Sequence, residues 1–434
     1  MQDQHGVAET LDLLGMVGSL SGDPVQSAAY YWQVVELFQE MDNREGLVSS
    51  LATLLLCGDT YFSATLVTVA TSVTEVRRVG ERALTLAREI GQRSGEAYTC
   101  NCMAHCLGTR GEYAHALELA HNGLRIAEEI EHRQWMTATH WALGALYFDL
   151  LELPMARQHL EQALRLSQEI GSLYWIYHSS ALLASVSIGL KDLTRARSLL
   201  TAALASDAPP QTQAQRLIWY GRAQLTLAQG KPDRVLAITE QLFASATHFA
   251  GEQSIPHLAH LRGEALATLN RPAEAETALQ AAQAGAVTQD LRPLLWRIAI
   301  DLGNLYRAQR RDEEAEQAFT TAQELIEALA ATIPDPSLRT HFLQQASALL
   351  PRQEPLSPRR AAKRAFGGLT EREREVAALI AQGKASREIA EILVVNARTV
   401  EKHIENILSK LGFTSRTQIA VWATEKGLRQ KEQG

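Results

Sequence analysis

A small residue, followed by another twelve positions later, recurs along most of this chain with a period of forty. The first members are Ala104, Gly144, Ala184, Ala223, Gly263 and Gly303, spaced 40, 40, 39, 40 and 40 residues apart. The second members are Ala116, Ala156, Ala196, Val235, Ala275 and Ala315. Polar turns such as "TRGE", "GLKD", "LNRP" and "AQRR" separate the two members of a pair. Apolar residues around them recur at helical spacing, as in "ALRLSQEI" and "AFTTAQELI". The pattern predicts two helices and a turn per forty residues, with the small residues where helices cross closely. Pro232 and Pro272 fall in the first turn of an expected second helix, where no N–H is needed. One such hairpin cannot bury its own apolar face, so successive hairpins must stack into a solenoid.

Composition agrees with an all-α chain. Ala and Leu dominate, 46% of residues are hydrophobic, 21% are charged and only 6% are aromatic. A length of 434 residues implies several domains or a repeat array. No run approaches eighteen apolar residues, so neither a membrane span nor a membrane partner is expected. The start, "MQDQHGVAETLDLLG", lacks a basic segment before an apolar core, so no secretory signal is expected. Four cysteines fit a reducing, cytoplasmic setting. Three of them lie in "CNCMAHC" and Cys57 stands apart, which is not the paired spacing of a zinc framework. They read as small buried residues, and no metal is expected.

Before Ala104 the repeat degrades. "AAYYWQVVELFQEM" and "ERALTLAREIG" read as helices, but "CGDTYFSATLVTVATSVTEV" between them is dense in Thr and Val. It reads as an insertion or irregular connection near residues 58–75. The repeat region is expected to span 1–350 with about eight helix pairs. No polar capping segment precedes the first hairpin, which suggests either a fragment of a longer chain or an end that meets a partner.

The repeat resembles the tetratricopeptide family. Gly144, Ala156 and Leu160 match its small residue, its Ala and its large residue four later, as do Gly303, Ala315 and Phe319. Ala163, Ala203, Ala282 and Ala322 match the next small position, and Tyr147 and Tyr306 match the aromatic of the first helix. The repeat "QLTLAQGKPDRVLAITEQLF" fits least, with Thr239 in the large position. The period of forty departs from the family's 34, which longer helices of the kind in maltose-activator-type regulators would explain. Such solenoids bind ligands on the face formed by their first helices. The offsets facing it hold Tyr98, Asn101, His105, Trp141, Phe148, His178, Tyr220, His257, His260, Glu264, Arg297, Asn304 and Arg307. Mixed aromatic and polar groups suit a small-molecule inducer or a protein partner. The plainer reading is ordinary solvated or inter-repeat positions.

The charge changes sign along the chain. Arg359 to Gly434 holds 15 Lys plus Arg against 9 Asp plus Glu, a net of +6, whereas the whole chain is at −7. Pro351, Pro355 and Pro358 mark a Pro- and Arg-rich linker over 351–368. A compact segment, 369–434, follows. Thr370 with Glu373 forms a capping box opening a helix over 371–382, and Gly383 ends it. "SREIAEIL" is a short second helix, Asn396 caps a third, "ARTVEKHIENILSKL", and Gly412 stops it. "SRTQIAVWATEKG" is the fourth. On the third helix Val400, Ile404, Ile407 and Leu411 form a core stripe. Arg398, Lys402, Glu405, Asn406 and Ser409 lie opposite, flanked by Thr399, His403 and Lys410 on one side and Glu401 on the other. These groups can contact phosphates or base edges. They also fit a surface helix laced with ion pairs.

"LTEREREV", "REIAEIL", "TVEKH", "NILSKLG", Arg416 and the final "GL" resemble the LuxR-type (GerE-type) DNA-binding family over Leu369 to Leu428. The resemblance implies a four-helix domain whose third helix enters the major groove and whose fourth helps dimerise. It places DNA contacts on Thr399, Val400, Glu401, Lys402, His403, Asn406 and Lys410, in conflict with the core position that the helix angle gives Val400. Ala385 departs from the family's capping Ser, so either Ser386 caps the second helix or its start is weaker by about 1 kcal/mol. The implied partners are double-stranded DNA, a second copy of the chain on a two-fold site, and RNA polymerase, at the nucleoid. Many regulators of this layout carry an ATPase ahead of the solenoid, so the chain also reads as the C-terminal half of one. A scaffold that binds protein rather than DNA is the third reading. No phosphate-binding loop, nucleophile elbow or metal-ligand helix occurs, so neither an enzyme nor a cofactor is expected.

Overall fold

The computed structural model describes residues 3–58, 60–249, 255–351 and 366–428. The expected linker, 351–368, falls almost wholly outside these. Every regular element among the described residues is helical, so the fold is all-α. The chain divides into two units, Met1–Leu350 and Pro351–Gly434.

In the first unit sixteen helices pair into eight hairpins: α1 (Gln4–Ser21) with α2 (Pro24–Glu40), α3 (Arg44–Leu56) with α4 (Val73–Glu89), and α5 (Arg93–Gly108) with α6 (Tyr113–Glu129). Next come α7 (Arg133–Asp149) with α8 (Leu153–Glu169) and α9 (Leu173–Gly189) with α10 (Leu193–Ala203). The last three are α11 (Gln213–Ala228) with α12 (Pro232–Ala244), α13 (Pro256–Thr268) with α14 (Pro272–Thr288), and α15 (Arg292–Ala308) with α16 (Asp312–Ala331). A final helix, α17 (Pro336–Ser347), packs on α16.

The period of forty follows from the helix ends. Helices of 17 residues recur, as in α6 to α9, and each stops at a left-handed residue. Gly91, Gly111, Glu131, Leu151, Gly171 and Lys191 have φ between 53° and 76° and stand twenty residues apart. Around each, a six-to-one backbone bond closes the helix, such as Glu152 N–H to the Tyr147 carbonyl at 2.9 Å. One helix and one turn therefore take twenty residues.

The small residues sit where the period predicts. Ala104, Ala116, Ala156, Ala184, Ala196, Ala223, Val235 and Ala275 are fully buried. A Cβ on Gly144 would lie 2.5 Å from Cγ of Leu160, one on Gly263 2.6 Å from Cγ of Leu279, and one on Gly303 2.5 Å from Cε1 of Phe319. The large residue of each second helix thus fills the space left by the glycine of the first.

The solenoid turns back on itself. Thr332 donates to the Gly111 carbonyl at 2.9 Å, Arg292 pairs with Glu112 at 2.7 Å, and His341 lies 3.2 Å from the Leu151 carbonyl. One apolar cluster accordingly joins Ala8 and Val34 to Trp296, Ile326 and Phe342. Thr247 likewise reaches the Gly22 carbonyl at 3.1 Å. At the other extreme, Val7, Leu13, Leu14, Met16, Val17 and Leu20 of α1 are exposed.

In the second unit, α18 (Glu371–Ala381), α19 (Ser386–Ile392), α20 (Ala397–Leu411) and α21 (Arg416–Glu425) enclose a core of Leu369, Val376, Ile380, Ile389, Val400, Ile407 and Ile419. The Thr370–Glu373 capping box forms as expected, and Gly412 ends α20 at φ 67°.

Gly144→Val should destabilise the repeats by about 1–3 kcal/mol through overpacking. Leu160→Ala alone should cost about 2–5 kcal/mol. The double variant should lose clearly less than the sum, measured by urea unfolding of all four proteins. Strict additivity would mean the two side chains do not share this space.

Candidate functional site

In the C-terminal unit, α20 owes its position to three local devices. Asn396 caps it, accepting from the Thr399 N–H and hydroxyl at 2.8 Å each. Val400 and Ile407 are fully buried against the other three helices, with Ile404 and Leu411 partly so. Arg416 ties the start of α21 to that of α19, donating to Ser386 Oγ at 2.9 Å and the Lys384 carbonyl at 2.6 Å.

With that stripe buried, Arg398, Glu401, Lys402, Glu405, Asn406 and Ser409 are exposed, and Thr399 and His403 half-buried. Among the described residues Arg398, Glu401, Lys402 and Glu405 make no ion pair, so the ion-laced surface helix is not what forms. One implied contact is lost and another gains a second role. Val400 cannot touch DNA, because its side chain is fully buried in the domain core. Lys410 is exposed and also tethers the domain, donating to both carboxylate oxygens of Glu373 at 2.8 and 2.7 Å. Burial alone would raise the Glu373 carboxyl, but Lys410 and Thr370 outweigh it and hold it below the usual range. Ser386 does not cap α19. Its hydroxyl accepts from Arg416, Ala385 stands at the cap, and only Glu388 reaches back, accepting from the Ala385 N–H at 2.7 Å. Sequence reasoning passed over Val394 in the turn before α20. It is 90% exposed at φ 53°, a conformation disfavoured for a β-branched residue.

In the repeats, the face formed by the first helices is occupied by the chain itself. Residues 57–58 and 60–72 carry one short turn of 3-10 helix, Tyr61–Ser63, and an isolated bridge between Gly58 and Val69. Phe62 lies with its ring centroid 4.6 Å from His105, 4.7 Å from Trp141 and 4.8 Å from His178. Two arginines hold the segment by its backbone. Arg110 donates to the Thr71 carbonyl through Nη2 at 2.6 Å, and the fully buried Arg216 does the same to the Thr65 carbonyl.

This overturns much of the expected groove. Asn101, His105, Trp141 and His178 are buried, because the chain's own segment packs over three of them and Asn101 is sunk in the same wall. Tyr98 is stacked on Trp135 at 4.4 Å and bonded to Thr53 at 2.9 Å. Arg307 is exposed over the Phe319 ring of a second helix, away from the first-helix face. Tyr220, His257, His260, Glu264 and Arg297 do share one region, with Asp301 and Asp149 added. The segment was visible in sequence only as Thr- and Val-rich and non-helical. On the outer side, His140 and His159 bring their Nδ1 atoms within 3.0 Å beside an open cleft of about 810 Å³.

Burial sets the protonation of the inner imidazoles. It depresses His105 to about 3 and His178 to about 4, so both are neutral near pH 7. At His260 burial also pulls downward, but Glu264 and Asp301 outweigh it and hold the imidazole above its ordinary value. Burial pushes Glu264 up to about 7, opposed by His260 and reinforced by Asp301.

Residues 368–423 match the family model of bacterial regulatory proteins, luxR family. The chain is 54% identical over 55 residues to the transcriptional regulatory protein LiaR of Bacillus subtilis, 13% of this chain and 26% of that one. It is 34% identical over 137 residues to the transcriptional activator protein SolR of Ralstonia solanacearum, 31% of this chain and 57% of that one. The chain thus spans between about a quarter and just over half of these relatives. Among solved structures it aligns with apo RapI at a TM-score of 0.37 and 13% identity, over 74% of this chain and 99% of that one. A tetratricopeptide repeat protein from Parabacteroides merdae aligns at 0.36 and 17%, over 67% and 98%. The C-terminal unit carries a luxR-family helix-turn-helix domain.

A histidine held neutral in the fold but free to charge when unfolded adds stability above its unfolded value of 6.5, which is lost as pH falls through its folded value. The contribution of His105 and His178 to the melting temperature should therefore be complete above about pH 6.5 and be lost as pH falls towards 4. Replacing His105 and His178 together by Gln should shrink that loss, read by calorimetry across the range.

Proposed function

We propose that this chain is a DNA-binding transcription regulator. Its α20 lies in the major groove, and its repeats receive a signal that controls the DNA-bound state. The observation that supports this most is the outer face of α20. Arg398, Lys402 and Asn406 stand exposed on a rigid helix, and the two cations are unpaired among the described residues. Arg398 and Lys402 suit phosphates or guanine, and Asn406 suits adenine. Thr399 and His403 flank them, and Glu401 can accept from a cytosine amino group. Lys410, exposed although it tethers α20 to Glu373, can also reach a phosphate.

The net of +6 on residues 359–434 supplies attraction to phosphate that the chain's overall −7 would hide. The screening length in physiological salt is about 8 Å, so acidic groups farther from the helix than that weaken it little. A two-fold DNA site read by two copies fits the family, and Val421 of α21 is an exposed apolar residue available for that pairing. RNA polymerase contact and a cytoplasmic site at the nucleoid belong to the same proposal. Because residues 60–72 cover the first helices around His105 and Trp141, a ligand there must displace the segment, while the region near Tyr220 and Arg297 stays half-open.

With the full chain and genomic fragments, affinity should fall steeply with salt. Lys402→Ala with His403→Ala should abolish the footprint and leave the melting temperature unchanged. A flat salt dependence with no preferred sequence would reject the proposal. Glu401→Gln should alter preference at one base position by about 1–3 kcal/mol, whereas a uniform gain in affinity would make Glu401 a matter of charge alone.

A further inference from the structure

The repeat itself marks three side chains as out of place. Relative to the small landmark of each first helix, the position two before it holds Cys102, Ala142, Leu182, Gly221 and Leu261 in five repeats. In the last it holds Asp301. The packing of a first helix therefore does not require a carboxylate there. On the preceding first helix, α13, His260 and Glu264 stand four residues apart and so share a face. No other first helix carries this His and Glu at these two offsets.

The fold brings the three together. His260 Nε2 lies 2.7 Å from Asp301 Oδ2. One ligand atom from each of His260, Glu264 and Asp301 falls within 4.8 Å of the others. His260 is buried and the two carboxylates are half-buried, so the group is recessed but reachable. The guanidinium of Arg297 is turned to Asp149 at 3.5 Å and to the Pro293 carbonyl at 2.5 Å.

We propose that His260, Glu264 and Asp301 form a binding site for one divalent transition-metal cation of the Zn²⁺ class, bridging α13 and α15. A neutral imidazole and two carboxylates carry two negative charges, which balance the ion. One nitrogen and two oxygens suit Zn²⁺, Mn²⁺ or Fe²⁺ rather than thiolate-seeking Cu⁺. Three protein ligands leave a coordination position open for water or an incoming ligand. Because the ligands come from two consecutive repeats, the ion would clamp their relative angle.

The test uses the full chain, stripped of metal by a chelator and titrated with Zn²⁺ by calorimetry. One equivalent should bind at micromolar concentration and raise the melting temperature. Substitution of Co²⁺ should give the visible spectrum of a low-symmetry nitrogen–oxygen site. Asp301→Leu restores the repeat's apolar residue, so the metal-free variant should fold and melt no lower than the parent. That variant and Glu264→Gln should each weaken Zn²⁺ binding by about tenfold or more. His140→Ala with His159→Ala should leave it unchanged. The proposal fails if the parent binds no Zn²⁺ in this range, or if binding follows His140 and His159 or persists in Asp301→Leu. It also fails if Asp301→Leu destabilises the metal-free chain and Zn²⁺ has no effect on the parent, since Asp301 would then be only a structural partner of His260.

Discussion

The contact between a glycine on a first helix and a large side chain sixteen residues later sets the spacing of the hairpins. Gly144 with Leu160, Gly263 with Leu279 and Gly303 with Phe319 leave no room for a Cβ. Two helices can approach this closely only if one surrenders its side chain and the other fills the gap. Each hairpin then presents the same faces to its neighbours, and stacking becomes the one way to bury them. The twenty-residue beat of helix plus left-handed turn keeps those faces in phase along the array.

The stacked array closes on itself through side chains far apart in sequence, and residues 60–72 cover its inner wall around His105, Trp141 and His178. An extended segment inside a protein must satisfy its backbone polar groups. Arg110 and Arg216 meet that need by donating to the Thr71 and Thr65 carbonyls, while Phe62 fills the aromatic wall. Burial of this kind lowers the dielectric around His105 and His178 and keeps them neutral. The wall beyond the segment, near Tyr220, His260 and Arg297, stays polar and half-open.

The C-terminal unit is organised by the opposite principle. Its core is small, and caps and a few tethers hold the four helices: Asn396 on α20, Lys410 on Glu373, Arg416 on Ser386 and Lys384. Lys410 carries a tether that no resemblance implied. Its place in the sequence matches a DNA contact, yet its ammonium faces a nearly buried carboxylate in the same domain.

The forty-residue beat, the small landmarks, the capping box at Thr370 and the core stripe of α20 were legible in sequence, because each rests on local spacing along one or two helices. The burial of Val400 could be read from helix angle alone, against what the resemblance implied. Which polar residues of the first helices face solvent could not be read in this way. Asn101, His105, Trp141 and His178 have the offsets of a groove, but a segment about 40 to 115 residues upstream of the last three, carrying Phe62, decides that they are covered. His260, Glu264 and Asp301 meet only because two repeats stack at a fixed angle. Periodicity fixes what a helix offers to its neighbours, whereas contacts between distant residues depend on how the array curves, and only the tertiary structure sets that.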